Sequence, residues 1–209
     1  MRNFCTILLL VLVHWVALAG EEGWYRGEVV FNSEATLHGE VRYDWRAGVV
    51  QYRRDGRVQA FGPHRLHAFA FFDVQLNAIR RFEALPSGAE GRQPGKTFFE
   101  VVRNGPLKLV RRASPAVGFG VPTGLLPAED ADLAFQLWGY SYFVHTGGRL
   151  VPITRFRREL WPVMAARFGP ELKQFMKRYG VSCRTLPGKL RLIHQFNVLE
   201  GVNELTVRE

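Results

Sequence analysis

Three acidic residues stand beside aromatic or aliphatic side chains, where a carboxyl group can act as a general acid. They are Asp73, Glu83 and Glu100. Burial among apolar neighbours raises the pKa of a carboxyl group, so that it can hold a proton for donation at neutral pH. Glu100 lies between a phenylalanine and a valine and fits this pattern best. An ion pair with an arginine such as Arg81, or an outward-facing side chain, explains the same pattern without catalysis.

The histidines suggest a second kind of chemistry, metal binding. His64 and His67 have a spacing that puts two imidazoles on one face of a helix but on opposite faces of a strand. Because residues 66–72 predict a strand and no carboxylate partner is identifiable, we predict no metal and no cofactor. Zinc-protease, serine-hydrolase, P-loop and dinucleotide-binding motifs are also absent from the sequence. We therefore assign no catalytic residue, and keep Glu100, Asp73 and His67 as candidates.

Aromatic residues and arginines suggest a binding surface. Both residue types are enriched where proteins contact other proteins or glycans. The clearest grouping is the aromatic segment 140–143 beside the apolar loop 117–126, with two nearby arginines. The predicted binding surface consists of Tyr140, Tyr142, Phe143, Phe119, Arg111 and Arg112. The same aromatic content is equally typical of a β core, which is the alternative for these residues.

The N-terminus predicts export. Arg2 gives a positive start, and an apolar run covers residues 4–19. That run is shorter than the roughly 20 residues of a membrane-spanning helix. It ends in Ala17-Leu18-Ala19, a pattern typical of signal-peptide cleavage. We predict a signal peptide over residues 1–19 with cleavage near Ala19, a periplasmic or extracellular product, and no transmembrane segment after cleavage.

The basic character of the chain limits the classes of binding partner that we expect. The formal net charge is +9 and the sequence pI is about 10.1. Such a charge favours nucleic acid in a cytosolic protein, but export argues against that partner. The predicted partners are instead an envelope protein, a glycan or an anionic surface. Cys183 is the one cysteine left after cleavage, so we expect it to be either buried and inert or paired with another chain.

Hydrophobic patterning predicts a mainly β fold. Residues 35–43 alternate between apolar and polar, which is typical of a half-buried antiparallel strand. Residues 66–72 are apolar on both faces, which predicts a central strand buried on both sides. Tight hairpins are predicted at Asp55-Gly56, Asn104-Gly105 and Gly147-Gly148. We expect an antiparallel β-barrel or sandwich of about eight to ten strands.

The pattern changes to a helical period near the C-terminus. Leu172, Phe175, Met176 and Tyr179 form an apolar stripe that predicts a helix ending at Gly180. A helix ending at Gly169 precedes it, and a short helix over residues 189–197 is predicted to follow. The expected organisation is an antiparallel β domain over 20–155 and a helical C-terminal segment over 156–209 packed on it.

Short segments carry a resemblance to a group of exported bacterial proteins. They are residues 36–44 (TLHGEVRYD), 71–73 (FFD), 99–102 (FEVV), 172–177 (LKQFMK) and 194–197 (HQFN). The chain resembles exported bacterial proteins of undefined activity in which a β-rich body is followed by short helices. The resemblance implies a secreted or periplasmic protein, and it transfers no catalytic residues.

Two functions follow as hypotheses. The first is a non-enzymatic envelope or secreted protein, a binding or structural β domain with a basic, aromatic-rich surface. The alternative is a carboxylate-dependent hydrolase that acts on an envelope polymer. An enzyme requires polar groups that converge in a concave pocket, whereas a binding module requires only a suitable surface.

Overall fold

The structure is a computed structural model that describes residues 23–87, 95–114 and 139–206, with side chains described as far as residue 201. The predicted signal peptide and the whole apolar loop 117–126, which contains Phe119, lie outside these residues. The described strands are β1 Tyr25–Phe31, β2 Thr36–Asp44, β3 Val49–Arg54, β4 Arg57–Phe61, β5 Leu66–Asp73, β6 Ala78–Ser87, β7 Gly95–Arg103, β8 Lys108–Ala113, β9 Tyr140–Thr146 and β10 Arg149–Pro152. Two helices follow, α1 Trp161–Tyr179 and α2 Leu186–Thr206.

The ten strands form one antiparallel sheet in the order β10-β9-β8-β7-β6-β5-β1-β2-β3-β4. The predicted mainly β, antiparallel class is therefore confirmed. The edge strands β10 and β4 do not pair with each other, so the sheet is open rather than closed into a barrel. β5 lies at the middle of the sheet, as predicted. It is buried on both faces only near its centre, because His67 and Phe72 at its two ends are exposed.

Tight turns join neighbouring strands at the positions that the glycines predicted. Asp55 and Gly56 both have positive φ, at 51° and 75°, as the two central residues of a type I′ turn require. Gly147 and Gly148 behave in the same way between β9 and β10. These local signals suffice because the turn geometry depends only on the residues within it.

The open sheet curls so that its two halves pack against each other through one face. Tyr43 on β2 contacts the rings of Phe69, Phe82 and Phe98, which lie on β5, β6 and β7. β1 separates β2 from β5 in the strand order, so these contacts cross the interior of the curl. They belong to a buried apolar cluster built mainly from β1 to β7.

The helices cover the same face at the other end of the sheet. Leu109, Tyr142 and Val144 share a buried cluster with Met164, Leu172 and Leu192 of the helices. α1 has a kink at Phe168, where φ is −134°, next to Gly169 and Pro170. This non-helical residue divides α1 into two helical segments, in agreement with the two helices predicted on either side of Gly169. Gly180 ends α1 in the left-handed conformation, as predicted.

α2 begins earlier and extends further than the predicted helix 189–197. Pro187 stands in its first turn, where a missing N–H group leaves no helical hydrogen bond unmade. The hydroxyl of Thr185 accepts a hydrogen bond from the Gly188 N–H at 3.2 Å and so stabilises the helix start.

Asn197 joins α2 to the β7–β8 hairpin. Its side-chain amide donates to the Leu107 carbonyl at 2.9 Å, and its side-chain oxygen accepts from the Leu107 N–H at 3.0 Å. Gly105 has a φ of 148°, and a Cβ there would meet the Asn197 side chain at 2.6 Å. This turn therefore needs glycine both for its backbone and for its contact with the helix.

Candidate functional site

A cleft of about 340 Å³ opens on the curled face of the sheet. It lies between the apolar cluster of β1 to β7 and the cluster that the helices cover. Its volume falls within the roughly 300–1,000 Å³ typical of small-ligand sites. Its lining consists of Gly23, Tyr25, Arg42, Tyr43, Trp45, Phe71, Asp73, Arg80, Phe82, Phe98, Glu100, Arg111, Arg112, Ala113 and Tyr140.

The floor of the cleft is a row of side chains from four adjacent strands. Antiparallel pairing places Phe82 opposite Glu100, Glu100 opposite Arg111, and Arg111 opposite Tyr142. Directly opposed side chains lie on one face of a sheet, within contact distance. Arg80 stands two residues before Phe82 and therefore projects from the same face, diagonally from Glu100.

Glu100 is held between two guanidinium groups. Arg80 donates to its two carboxylate oxygens at 3.0 and 2.9 Å. Arg111 donates to the same oxygens at 2.8 and 3.1 Å. The Glu100 side chain is only 8% exposed. Two bidentate pairs of this kind fix the position of the carboxylate strongly.

Asp73 reaches the same group of charges from the end of β5. Its Oδ2 lies 3.3 Å from Nη1 of Arg80. Its Oδ1 accepts hydrogen bonds from the backbone N–H groups of Gln75 and Leu76 at 3.1 and 3.2 Å. Asp73 therefore also bonds the backbone of the turn that ends its strand. Two carboxylates and two arginines together form a charge-compensated floor.

The ionisation state of Glu100 argues against a role as a general acid. Burial by itself raises the pKa of Glu100, but the hydrogen bonds from Arg80 and Arg111 outweigh it and hold the pKa below its ordinary value. Glu100 is therefore a carboxylate at neutral pH, with no proton to donate. Burial also raises the pKa of Tyr142, despite its hydrogen bond with Arg111.

Aromatic side chains form the wall and rim of the cleft. Phe71, Phe82 and Phe98 are buried in the wall. Tyr25, Tyr43 and Tyr140 are partly exposed at the rim, and Trp45 is 42% exposed. Burial raises the pKa of Tyr43 to about 12, so its hydroxyl remains protonated. The guanidinium of Arg111 lies 4.1 Å from the centre of the Tyr140 ring and orients it.

The structure separates the residues of the predicted binding surface. Arg111, Tyr140 and Tyr142 share the cleft face, although Tyr142 is buried at 3% exposure. Phe143 alternates with Tyr142 and lies on the opposite face. The Arg112 guanidinium is 5.8 Å from the Phe143 ring centre, and Arg112 also borders the cleft. Phe119, the sixth member, lies outside the described residues.

His67 lies apart from Asp73 and Glu100. It is exposed near the start of β5, whereas Asp73 is at the other end of that strand. In the part of the chain that the structure describes, no three histidine, cysteine or acidic side chains group as metal ligands would. Cys183 is half-buried and packs against the helical cluster. The cleft itself is lined by hydrogen-bonding side chains and aromatic rings.

Sequence reasoning missed Arg80 and Tyr43. The partner suggested for Glu100 was Arg81, but the structure uses Arg80 and Arg111 instead. Arg81 projects from the opposite face because it follows Arg80 along a strand. The alternation of Arg80, Phe82 and Ala84 indicated that these residues share one face of β6. Only the pairing of β6 with β7 shows that Glu100 lies on the same face.

No protein-family model matches the chain, and no curated protein or solved structure matches it. None of the helices in the described ranges is both long and apolar enough to cross a membrane. The functional argument consequently depends on the geometry of the cleft.

Proposed function

We propose that this chain is an exported, non-enzymatic binding protein, and that its cleft holds a saccharide unit of an envelope glycan. The observation that carries the proposal is a charge-compensated floor beneath a rim of aromatic rings. Such a floor presents fixed hydrogen-bond donors and acceptors without a strong net charge. The sequence of residues 1–19, which is typical of a signal peptide, supports the location in the envelope.

The chemistry of a sugar complements both parts of the cleft. Hydroxyl groups of a sugar can donate to Asp73 and accept from the tyrosine hydroxyls. The apolar face of a sugar ring can lie against a ring such as Trp45 or Tyr140. Rigid aromatic side chains supply contact area at a small entropic cost, which favours them in binding sites.

The alternative, a carboxylate-dependent hydrolase, has less support. Asp73 and Glu100 converge on Arg80, which brings two carboxylates into one cleft. A glycoside hydrolase of the common type needs one protonated carboxyl group as its acid. Arg80 and Arg111 hold Glu100 in the ionised form, which is the state unsuited to that role.

Tryptophan fluorescence can test the proposal. We expect soluble peptidoglycan fragments to change the emission of the protein in a saturable manner, because Trp45 lies at the rim. The Trp45→Ala and Tyr140→Ala variants should each weaken binding at least about tenfold, as loss of an aromatic anchor does at other binding sites. The affinities of the variants are measured by isothermal titration calorimetry, because Trp45→Ala removes the fluorescent reporter. Tyr179→Ala is the matched control, since Tyr179 is an exposed aromatic residue of α1 that does not line the cleft.

Two results would contradict the proposal. Equal losses in the Tyr179→Ala and Tyr140→Ala variants would show that the cleft is not the binding site. Release of shorter fragments during the titration, abolished by Asp73→Asn, would favour the hydrolase instead. Fragments should be separated by chromatography after prolonged incubation, so that slow cleavage is detected.

A further inference from the structure

An exposed apolar hairpin tip lies on the molecule outside the cleft. Phe72, Val74, Leu76 and Ile79 are 40%, 71%, 53% and 71% exposed. They come from eight consecutive residues around the β5–β6 turn and make up four of the ten large exposed hydrophobic residues in the described ranges. A single exposed apolar residue is ordinary, but a cluster of four at one tip is typical of a contact site. We call these four residues the β5–β6 tip.

The β5–β6 tip is held in its exposed conformation. The Asp73 carboxylate bonds two backbone N–H groups of the turn and is itself anchored by Arg80. Asn77 takes a positive φ of 47°, and its N–H lies 3.4 Å from the Val74 carbonyl oxygen. A turn with these internal bonds presents Val74 and Leu76 to the surroundings instead of letting them collapse onto the sheet.

Basic side chains surround the base of the tip. Gly27 pairs with Phe71, which places the exposed Arg26 beside Phe72. Arg81 follows Ile79 on the same face of β6, and Arg103 ends the neighbouring strand β7. Both Arg81 and Arg103 are exposed. The acidic group nearest in sequence, Asp73, is buried at 7% exposure and engaged with Arg80. Glu40, which lies opposite Arg26 on β2, is already paired with Arg53 at 2.7 Å.

We infer that the β5–β6 tip is a membrane-docking element that inserts shallowly into an anionic lipid surface. The apolar side chains would enter the boundary between headgroups and acyl chains, while Arg26, Arg81 and Arg103 contact the phosphates. Peripheral binding of this kind combines buried apolar area with attraction to anionic lipid. The net charge of +9 favours the same surface at longer range.

A second copy of the chain is a less suitable occupant. A two-fold symmetric contact through the tip would place the arginines of both copies against one another. Four side chains also offer much less than the roughly 800 Å² that each partner buries in a stable interface. A lipid surface has neither restriction, because its headgroups carry the opposite charge.

Vesicle sedimentation tests this inference. The protein is mixed with vesicles of phosphatidylcholine alone or with added phosphatidylglycerol, at low and high salt. We expect binding to the anionic vesicles only, weakened by salt. The double variant Val74→Asp/Leu76→Asp should reduce the partition coefficient at least about tenfold, because charged side chains do not enter the apolar layer. Arg81→Gln/Arg103→Gln should lower binding and reduce its salt dependence.

The matched control is Val58→Asp/Val163→Asp, which adds the same two charges at exposed positions on β4 and α1. It should bind as the unaltered protein does, and circular dichroism should show that all variants are folded. All variants carry the same N-terminal residues, so these contribute equally to vesicle binding. A difference in binding between variants therefore reports on the β5–β6 tip. Equal binding by the tip and control variants would overturn the inference, as would no sedimentation of the unaltered protein. A dimer that only the tip variant abolishes would identify a second copy as the occupant instead.

Discussion

Glu100 shows how two neighbours determine what a carboxyl group can do. Its sequence context suggested an apolar setting and a raised pKa, but the tertiary structure supplies two guanidinium groups. Because burial removes the competing water, the ionised form depends on both arginines. The same residue is therefore a structural anchor of the cleft floor instead of a proton donor.

Replacing Glu100 should destabilise the protein strongly. The Glu100→Gln variant leaves Arg80 and Arg111 close together without their shared carboxylate. We expect a loss of about 3–5 kcal/mol in the free energy of unfolding, measured by urea denaturation. Glu40→Gln is the matched control, since Glu40 also pairs with an arginine across strands, at 2.7 Å, but at an exposed site. A similar loss in both variants would show that burial is not the cause.

The lowered pKa of Glu100 predicts acid sensitivity. A carboxyl group whose folded pKa is depressed contributes stability above its unfolded pKa, and that contribution is lost as the pH falls through the folded pKa. The ordinary value is 4.5. The stability difference between the unaltered protein and Glu100→Gln should thus stay constant near neutrality and shrink below pH 4.5. Denaturant titrations at a series of pH values would show this, and a difference that persisted unchanged in strong acid would contradict it.

At the scale of elements, the side chain of Asn197 joins the β7–β8 hairpin to α2 by hydrogen bonds that backbone groups usually make. Asn197 bonds both polar groups of Leu107, as a neighbouring strand would. The contact links residues ninety positions apart. It places α2 over the end of the sheet and helps to enclose the cluster that the helices cover.

An aspartate at position 197 should weaken this junction. In Asn197→Asp the carboxylate can still accept from the Leu107 N–H, but it cannot donate to the Leu107 carbonyl, so two acceptors face each other. We expect a loss of about 1–3 kcal/mol in the free energy of unfolding. Gln174→Asp on the exposed face of α1 serves as the comparison, and thermal unfolding followed by circular dichroism measures both. No difference between the two variants would mean that the junction contributes little.

At the scale of the whole molecule, helices and sheet share one buried cluster. Leu192 and Met164 are 0% exposed and pack with side chains of β8 and β9. Such a shared core favours unfolding in a single cooperative transition. The curl of the sheet adds a second cluster, and the charged floor of the cleft lies between the two.

A cavity at Leu192 should destabilise sheet and helices together. We expect Leu192→Ala to cost about 2–5 kcal/mol, because the cavity forms in a closed apolar cluster. Leu76→Ala, at an exposed position, should stay within about 0.5 kcal/mol. Far-UV circular dichroism and tryptophan fluorescence should report coincident transitions. Separate transitions for the two probes would show that the helices unfold on their own.

By itself, the sequence determined features that depend on neighbouring residues. Asp55-Gly56 specified its turn because positive φ is a local property, and Gly180 specified the end of α1 for the same reason. The alternation and apolar runs identified the strands and the central place of β5. The helix predicted over residues 189–197 was started too late, because a proline in a first helical turn, here Pro187, differs from a helix breaker only in its position.

Only the tertiary structure decided which distant side chains meet. The pairing of β6 with β7 and of β7 with β8 selected Arg80 and Arg111 for Glu100, and placed Arg81 on the other face. The curl of the sheet brought Tyr43 to Phe98 and thereby formed the cleft. A shift of one residue in strand register exchanges the two faces, and that register is determined by long-range packing, which no local pattern contains.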